Sequence, residues 1–203
     1  DRDAAKYFGQ DRAGFTIPAA LNAIFAQGNG PICIVVNTLD PAADTTVIAA
    51  GAAEAVTLGS DNTVTLAHPQ VSAVTVKNTG GTVTYIENTD YTLDAGSGKI
   101  TRLTTGAMTA GQSLKVDYTY LDPTKCLAAD IVGAVDGSGN RSGLKCLQDC
   151  YAKYGFFPKI IIAPGFSSQA SVMAEMDSIA GKIRAMAIVD IAAGTTVSAA
   201  ITG

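Results

Sequence analysis

The chain has 203 residues, of which 47% are hydrophobic and 16% are charged, and its formal net charge is −4. Because disordered chains combine few apolar residues with high net charge, this composition excludes intrinsic disorder. The 14 Lys and Arg residues are scattered along the chain, which argues against a nucleic-acid-binding surface or an anionic-membrane surface. Every apolar run is far shorter than the roughly 20 residues that cross a bilayer.

The first and last residues do not look like natural ends. "DRDAAKYFG" lacks an initiator methionine and the pattern of a signal peptide, and "GTTVSAAITG" stops where a helix would start. We therefore expect the sequence to be a fragment of a longer polypeptide.

Helical and strand patterns alternate near both ends of the chain. Ile17, Leu21, Ile24 and Phe25 form the apolar face of a first helix, and "ICIVVN" (32–37) then predicts a strand that is apolar on both faces. After Asp122, "SGLKCLQDCYAKYG" predicts an amphipathic helix with Leu144, Leu147 and Tyr151 on one face. "PKIIIAPG", "SSQASVMAEMDSIAGKI" and "AMAIVD" follow as strand, helix and strand. Strands joined by helices indicate a largely parallel or mixed sheet.

The middle of the chain has the texture of an all-β domain. "AVTVKN" and "TVTYIE" flank the turn "TGG", which predicts a hairpin. "DYTLDAGSGKITRL" predicts a second strand–turn–strand unit, and "QSLKVDYTY" predicts a long final strand. We predict a discontinuous α/β core domain of residues 1–52 and 122–203, which carries an inserted β domain, a small sandwich or barrel, of residues 53–121.

The strand-to-helix corner "KIIIAPGFSS" (159–168) is the first place to test for chemistry. A nucleophile elbow needs G-x-S-x-G, but Gln169 stands where the second glycine should be. The single histidine, His68, lies in the predicted β domain, so a Ser-His-Asp triad is not supported. We expect Ser167 or Ser168 to cap the following helix instead.

The glycine-rich loop "DGSGNRSGLK" (136–145) matches neither phosphate-binding pattern. Ser142 occupies the third glycine position of G-x-G-x-x-G, and Leu144 stands where a phosphate loop needs lysine. Arg141 and the helix amides could still hold an anion. An ordinary turn with Ser142 as the helix cap is the simpler interpretation.

The remaining candidate groups give weak signals. Asp40 and Asp190 each end an apolar strand, so both could lie at the carboxyl edge of a parallel sheet as an acid pair. Asp after a strand is also ordinary turn chemistry. Cys146 and Cys150 have the i, i+4 spacing of two metal ligands, but a zinc site needs four. We expect these two, with Cys33 and Cys126, to be isolated thiols, and we predict no catalytic, cofactor-binding or metal-ligating residue and no cofactor.

Three segments, taken in order, resemble one family. "FTIPAALNAIFAQGNGPICIVVNTLDP", "GNRSGLKCLQDCYAKYGFFPKIIIAPGFSSQASVMAEM" and "AMAIVDIAAGTT" resemble the tail sheath proteins of contractile-tailed bacteriophages, of the type found in temperate myophages and prophages. The resemblance covers over half of the chain. The predicted β domain also looks like one that many such sheaths carry.

The resemblance implies a structural role. Sheath subunits polymerise around a tail tube in a virion, are assembled in the cytoplasm of the bacterial host, and contract at a baseplate trigger to drive the tube through the host envelope. Neighbouring subunits are linked by terminal arms that add strands to a sheet. By this resemblance the chain lacks both arms, so we expect it to fold but to stay monomeric. From its scattered charges and short apolar runs we expect it to bind neither nucleic acid nor membrane.

Two other functions remain open from the sequence. The β domain could bind a host glycan through exposed aromatic residues, for which Tyr85, Tyr91, Tyr118 and Tyr120 are candidates. Alternatively, an enzyme site could lie at the carboxyl edge of the sheet near Asp40, Gly165 and Asp190.

Overall fold

The computed structural model describes residues 11–28, 30–39, 45–191 and 194–195. The chain forms two compact units, one made of residues 1–40 and 126–203 and the other of residues 41–125. The second unit thus interrupts the first. The predicted β domain, 53–121, lies inside the second unit, whose first strand begins earlier, at Ile48.

Seven strands follow one another along residues 45–125, the described part of the second unit. Four form an antiparallel sheet in the order β1-β7-β3-β4, and three form another in the order β2-β6-β5. In chain order they are β1 (Ile48–Thr57), β2 (Thr63–Thr65), β3 (Val71–Asn78), β4 (Thr84–Tyr85), β5 (Tyr91–Asp94), β6 (Lys99–Arg102) and β7 (Ser113–Leu121).

Strand β7 shows how the alternating sequence builds this unit. Leu114, Val116 and Tyr118 are buried, whereas Ser113 before them and Lys115 between the first two are exposed, as period 2 requires. Burial of each large apolar side chain contributes about 1.5–3 kcal/mol. Both sheets supply side chains to one core, which includes Val76, Val116, Leu114, Tyr91 and Ile100.

The predicted hairpin is confirmed. Strands β3 and β4 pair antiparallel, with Val76 opposite Tyr85. The Asn78 side-chain oxygen accepts hydrogen bonds from the amides of Thr82 (2.9 Å) and Val83 (3.1 Å), which closes the turn. The other predicted strands of this region, 90–103 and 112–120, are confirmed as β5, β6 and β7.

The first unit combines helices with a parallel strand pair. Strands β8 and β9 pair in parallel, with Ile160 opposite Met186 and Ile162 opposite Ile188. A 3-10 helix, Gly143–Asp149, runs directly into the third α-helix. In chain order the described elements are α1 (Thr16–Phe25), α2 (Ala128–Val132), α3 (Cys150–Tyr154), β8 (Ile160–Ile162), α4 (Ala170–Ile183) and β9 (Met186–Ile188).

Helix α4 covers one face of the strand pair. Val172, Met176, Ile179 and Ile183 are buried on it, at the spacing that places side chains on one side of an α-helix. They pack in the same core as Ile161 of β8. Since β8, α4 and β9 are consecutive, this helix is the crossover between the two parallel strands.

The predicted amphipathic helix at 142–155 is correct in position but wrong in one face residue. Leu144 and Leu147 are buried, but Tyr151 is 62% exposed and Cys150 takes its place in the core. The first part of the segment is a 3-10 helix, in which residues three apart are aligned. Its buried face therefore runs through positions 144, 147 and 150.

The predicted strand at 32–37 is wrong for the structure. The segment has no regular secondary structure, although Ile34 and Val36 pack against the core of the first unit. Ile32 is 81% exposed. An apolar sequence favours burial, but a strand also needs a ladder of backbone hydrogen bonds with a neighbour.

The two junctions of the second unit lie close together. Its first and last strands pair, with Ile48 opposite Leu121, and the Asp122 amide donates to the Val47 carbonyl at 2.8 Å. In the first unit, the Thr38 hydroxyl contacts the Cys126 thiol at 3.5 Å. Guest domains with adjacent ends are readily accommodated in a host domain.

A buried carboxylate joins two loops of the second unit. Asp90 is 7% exposed, and its two oxygens accept hydrogen bonds from the Ala107 amide (2.7 Å) and the Ile86 amide (2.8 Å). These two bonds, with that from Ala107 the stronger cause, lower the pKa of Asp90 below its ordinary value of 3.8. Ionisation of the Asp90 carboxyl group therefore stabilises the folded state.

Replacement of residues 40–125 by a short Gly-Ser linker should leave a first unit that unfolds in one cooperative thermal transition, because Thr38 and Cys126 are already in contact. Differential scanning calorimetry checks this. Excision of 53–121 is the matched control, because it cuts β1 in two and should give a less stable, aggregation-prone product. A non-cooperative transition in the 40–125 deletion would show that the second unit is integral to the first.

Asp90→Asn should lower the melting temperature at pH 7, because the amide group that replaces one oxygen cannot accept from a backbone amide. The stabilisation by Asp90 is complete above the ordinary pKa of 3.8 and is lost as the pH falls through the lower folded-state pKa. The melting temperature of the wild type should thus fall more steeply below pH 4 than that of the variant.

The control for this prediction is Glu87→Gln, because Glu87 is exposed. Parallel pH profiles for wild type and Asp90→Asn would contradict this role.

Candidate functional site

The corner after β8 is a tight turn. Gly165 has φ +81°, a backbone conformation that favours glycine, and the amides of Phe166 and Ser167 both donate to the Ala163 carbonyl, at 3.0 and 2.9 Å. Helix α4 then begins at Ala170, with Gln169 at the N-cap position.

Ser167 does not cap the helix as predicted. Its hydroxyl donates to the Asp190 carboxylate at 2.6 Å and accepts from the Asp190 amide at 3.0 Å. The N-cap residue is Gln169, with no side-chain cap bond, and Ser168 is exposed. The prediction fails because Ser167 lies too far ahead of the helix and faces the end of β9 instead.

This arrangement joins the corner after β8 to the end of β9 through a hydrogen-bonded pair. Ser167 is 1% exposed, and its hydroxyl uses both its donor and its acceptor capacity on Asp190. A nucleophile needs access to its substrate, and the Ser167 hydroxyl is buried. The hydrogen-bonded pair instead ties the end of β8 to the end of β9. Asp40, the other member of the predicted acid pair, lies outside the described residues.

The glycine-rich loop is closed on itself. Asp136 accepts from the amides of Ser138 and Asn140, both at 2.8 Å. Arg141, the candidate anion ligand, instead forms an ion pair with Asp149 at 2.5 Å. Ser142 stands at the N-cap position but makes no cap bond, because its hydroxyl accepts from the Ala134 amide at 2.9 Å. The loop therefore has the contacts of a structural turn.

The four cysteines are free thiols. Cys146 donates to the Arg141 carbonyl at 3.0 Å, and burial, together with nearby Asp149, raises the pKa of the Cys146 and Cys150 thiols. Both thiols are therefore weaker acids than an ordinary cysteine. Within the described ranges no three His, Cys, Asp or Glu residues are grouped as a metal site would require.

The tyrosines proposed to bind glycans are mostly core residues, so the glycan-binding interpretation is not favoured. Tyr85, Tyr91 and Tyr118 are 7%, 2% and 4% exposed. Tyr120 is half-buried, and its ring stacks on His68 at 3.6 Å between centroids. Alternation along a strand identifies one face as buried, and these tyrosines lie on it.

His68 belongs to a polar cluster of the second unit. The Tyr118 hydroxyl donates to the Glu54 carboxylate, so its oxygen accepts from Nδ1 of His68 at 2.9 Å. Burial, followed by this bond to Glu54, raises the pKa of Tyr118 well above its ordinary value. A second Glu54 oxygen accepts from the Ala67 amide at 3.0 Å. The cluster holds the 67–68 loop on the sheet.

In the first unit, the side of β8 and β9 that α4 does not cover is both apolar and exposed. Ile160, Ile162, Met186 and Ile188 are 55%, 41%, 58% and 49% exposed. Paired residues of parallel strands point to the same side, so these four form one apolar surface, here called the open sheet face. Exposed apolar patches of this kind mark interaction sites.

A smaller aromatic patch lies at the end of α3. Tyr151, Tyr154 and Phe156 are 62%, 52% and 37% exposed, and the Lys153 ammonium lies 5.8 Å from the centre of the Tyr154 ring. Exposed aromatic residues are enriched at protein interfaces.

Along the part of the chain that the structure describes, no helix is both long and apolar enough to span a bilayer.

Ser167→Ala should destabilise the first unit by about 1–2 kcal/mol, the low end for a buried hydrogen bond to a charged group, because Asp190 is partly hydrated. Ser168→Ala is the matched control and should change stability by less than about 0.5 kcal/mol. Urea denaturation of both variants, of Asp190→Asn and of the Ser167/Asp190 double variant measures the coupling. Additive effects, or an equal loss from Ser168→Ala, would contradict the proposed joint.

Sequence comparison shows that the chain is similar to phage and prophage tail sheath proteins. It is 44% identical, over its whole length, to the tail sheath protein of Burkholderia phage BcepMu, of which it covers 42%. It is 40% identical over 63 residues, 31% of the chain, to 16% of a putative prophage major tail sheath protein of Pseudomonas aeruginosa strain UCBPP-PA14. The chain thus spans less than half the length of these relatives.

A model of a protein family of unknown function matches residues 42–129, nearly the same range as the second structural unit. The first unit is covered by the similarity to the BcepMu protein, which extends over the whole chain. The resemblance to phage tail sheath proteins, drawn from three quoted segments, is thereby confirmed along the entire sequence.

Proposed function

We propose that this chain is part of a structural subunit of a contractile phage tail sheath. In this proposal the full-length protein polymerises around a tail tube, is triggered at a baseplate, and contracts to drive the tube through the host envelope. The observation that carries the proposal is the 44% identity to a phage tail sheath protein over the whole chain. The names of both relatives denote a tail component rather than an enzyme.

The surface of the first unit supports an assembling protein. The open sheet face and the aromatic patch expose apolar side chains that a monomeric protein normally buries. A helical array needs heterologous contacts, in which two different patches of one subunit meet different neighbours. Two separate apolar patches in one unit meet this requirement. The subunit would act in the virion tail after assembly in the bacterial cytoplasm.

The two units take different parts in this proposal. Residues 1–40 and 126–203 form the α/β core that assembles, and residues 41–125 are an inserted β domain. The adjacent junctions of the second unit support this division, since a guest domain that leaves and re-enters at one point need not disturb the host core. The glycan-binding alternative is not favoured, because its candidate tyrosines are core residues.

Contraction requires two packings of one folded subunit. In such a switch the energy difference between the packings is summed over many copies, and a kinetic barrier holds the extended form. A stiff core is an advantage in this role, because interfaces then change as rigid surfaces. The Ser167–Asp190 hydrogen bonds connect the ends of β8 and β9.

The full-length gene product should form tubes or cylinders of uniform width in negative-stain electron microscopy. Residues 1–203 alone, at the same concentration, should sediment as a monomer. The parallel experiment with Tyr151→Ser and Tyr154→Ser in the full-length protein asks whether the aromatic patch contributes to assembly. A full-length product that remains monomeric under all assembly conditions would contradict the sheath function.

A further inference from the structure

We propose that residues 143–154 form a two-register switch, which changes between the observed 3-10 helix followed by α3 and one continuous α-helix. The two registers bury different side chains, so the change turns the two tyrosines of the aromatic patch toward solvent or toward the core. The switch is inferred from the first unit alone, and only its use in contraction rests on the proposed function.

The first reason is the length of the 3-10 helix. Gly143–Asp149 has seven residues in this form, whereas such runs seldom exceed about three or four residues, because their hydrogen bonds have poorer geometry than those of an α-helix. The run continues directly into α3, which begins at Cys150. A 3-10 stretch within a longer helix often marks a hinge or local strain. The segment is thus held in a form that is locally less favourable than the α-helix.

The second reason is that the sequence of the segment matches an α-helix better than the observed form. In an α-helix, with about 100° between consecutive residues, one face about 80° wide carries the side chains of Leu144, Leu147, Tyr151 and Tyr154. In a 3-10 helix, with about 120° per residue, Leu144, Leu147 and Cys150 are aligned instead. The structure buries this second set, and Tyr151 and Tyr154 are 62% and 52% exposed. One sequence therefore carries two alternative buried faces.

The third reason is that one end of the segment is fixed and the other end can turn. Gly143 has φ +56°, and a Cβ added to it would lie 2.5 Å from the Ile131 carbonyl oxygen and 2.7 Å from the Gly133 Cα, so its backbone is packed against other backbone. Conversion of the 3-10 run to α-helix would therefore rotate α3 by about 140° about the helix axis and draw it in by about 3.5 Å. After α3, Gly155 has φ +79° and open space at its Cβ position, as a hinge that absorbs this change requires.

Two ion pairs respond differently to the change of register. The Arg141 guanidinium contacts the Asp149 carboxylate at 2.5 Å. Arg141 lies in the bridged loop ahead of the segment, and the conversion would turn Asp149 by about 120° relative to Gly143, so this pair exists only in the observed register. The Lys145 ammonium contacts the Glu175 carboxylate of α4 at 2.8 Å. Lys145 would turn by only about 40°, so its flexible side chain keeps this pair in both registers.

The change of register alters a surface that the proposed sheath function uses. In the observed register Tyr151 and Tyr154 are available to a neighbouring subunit, and in the continuous α-helix they belong to the core of the first unit. The Tyr151 ring already lies 5.5 Å from the Phe157 ring, which packs against this core, so it has a short way to move. In a sheath, a contact through the aromatic patch would be present in one packing of the subunit and absent in the other.

Alkylation of Cys150 under native conditions tests the switch in residues 1–203, whether or not the full-length protein assembles. Cys150 is 3% exposed, and the continuous α-helix would move it to the edge of the buried face. In a Cys146→Ser background, iodoacetamide should modify Cys150 at a rate that hardly changes with urea below the unfolding transition, because a change of register exposes little new surface. Tandem mass spectrometry of peptides measures the rate. No modification below the transition, or a rate that rises with urea as steeply as global unfolding, would overturn the switch.

Two charge variants distinguish a change of register from detachment of the segment. Arg141→Gln should speed the modification of Cys150 about two- to fivefold, because it removes an ion pair that only the observed register makes. Lys145→Gln is the matched control and should change the rate by less than about 1.5-fold, because its pair is present in both registers. Detachment from α4 must break the pair with Glu175. Acceleration by Lys145→Gln as large as that by Arg141→Gln would therefore overturn the switch.

The variant Cys150→Lys gives an independent readout. A charge is excluded from the buried position of the observed register, but at the edge of the α-helical face the stem of the side chain can lie on apolar surface. The variant should therefore fold in the α-helical register, and hydroxyl-radical footprinting should find Tyr151 at least about tenfold better protected than in the wild type. Cys146→Lys, at a half-buried position, is the matched control and should leave Tyr151 reactive. Unfolding of Cys150→Lys while Cys146→Lys folds, or a folded Cys150→Lys with reactive Tyr151, would contradict the switch.

Discussion

A pair of parallel strands is apolar on two faces, and the remaining features of the first unit follow from how those faces are treated. Helix α4 buries one face through Val172, Met176, Ile179 and Ile183, and the Ser167–Asp190 pair joins the strand ends at the corner that leads into that helix. The other face stays open to solvent. The strand pair of this unit is thus covered by a helix on one side and exposes apolar side chains on the other.

The second unit has a hydrophobic core of its own, separate from the core of the first unit. Two sheets bury a common core, with β7 at the centre of the larger sheet, and the unit begins and ends at paired residues, Ile48 and Leu121. A domain of this kind can be carried by a host without sharing its core. One family model matches residues 42–129, which nearly coincide with this unit. The unit is thus also distinguished from the rest of the chain by its sequence.

Predictions from the sequence were correct where the local periodicity of hydrophobic residues determines the secondary structure. They were wrong where contacts between distant segments determine which side chains are buried or hydrogen-bonded. The hairpin at 73–87 and strand β7 follow from alternation and turn residues, and both are present. Tyr85, Tyr91 and Tyr118 also follow the alternation, but the same pattern does not show which face is buried, and they were interpreted as surface residues. Ser167 was expected to cap the helix beside it, because its true partner, Asp190, is 23 residues away in sequence.

The sequence by itself determined the alternation that makes a β sandwich, the helix–strand order of the first unit, and the similarity to tail sheath proteins, since each depends on local residue types and their spacing. Only the tertiary structure decided that 32–37 forms no strand, that the 3-10 geometry buries Cys150 in place of Tyr151, and that one face of β8 and β9 is open. The physical reason is the same for the 32–37 segment and for the open face of β8 and β9. Burial and strand pairing depend on which distant segment supplies the partner surface, and no local pattern encodes that partner.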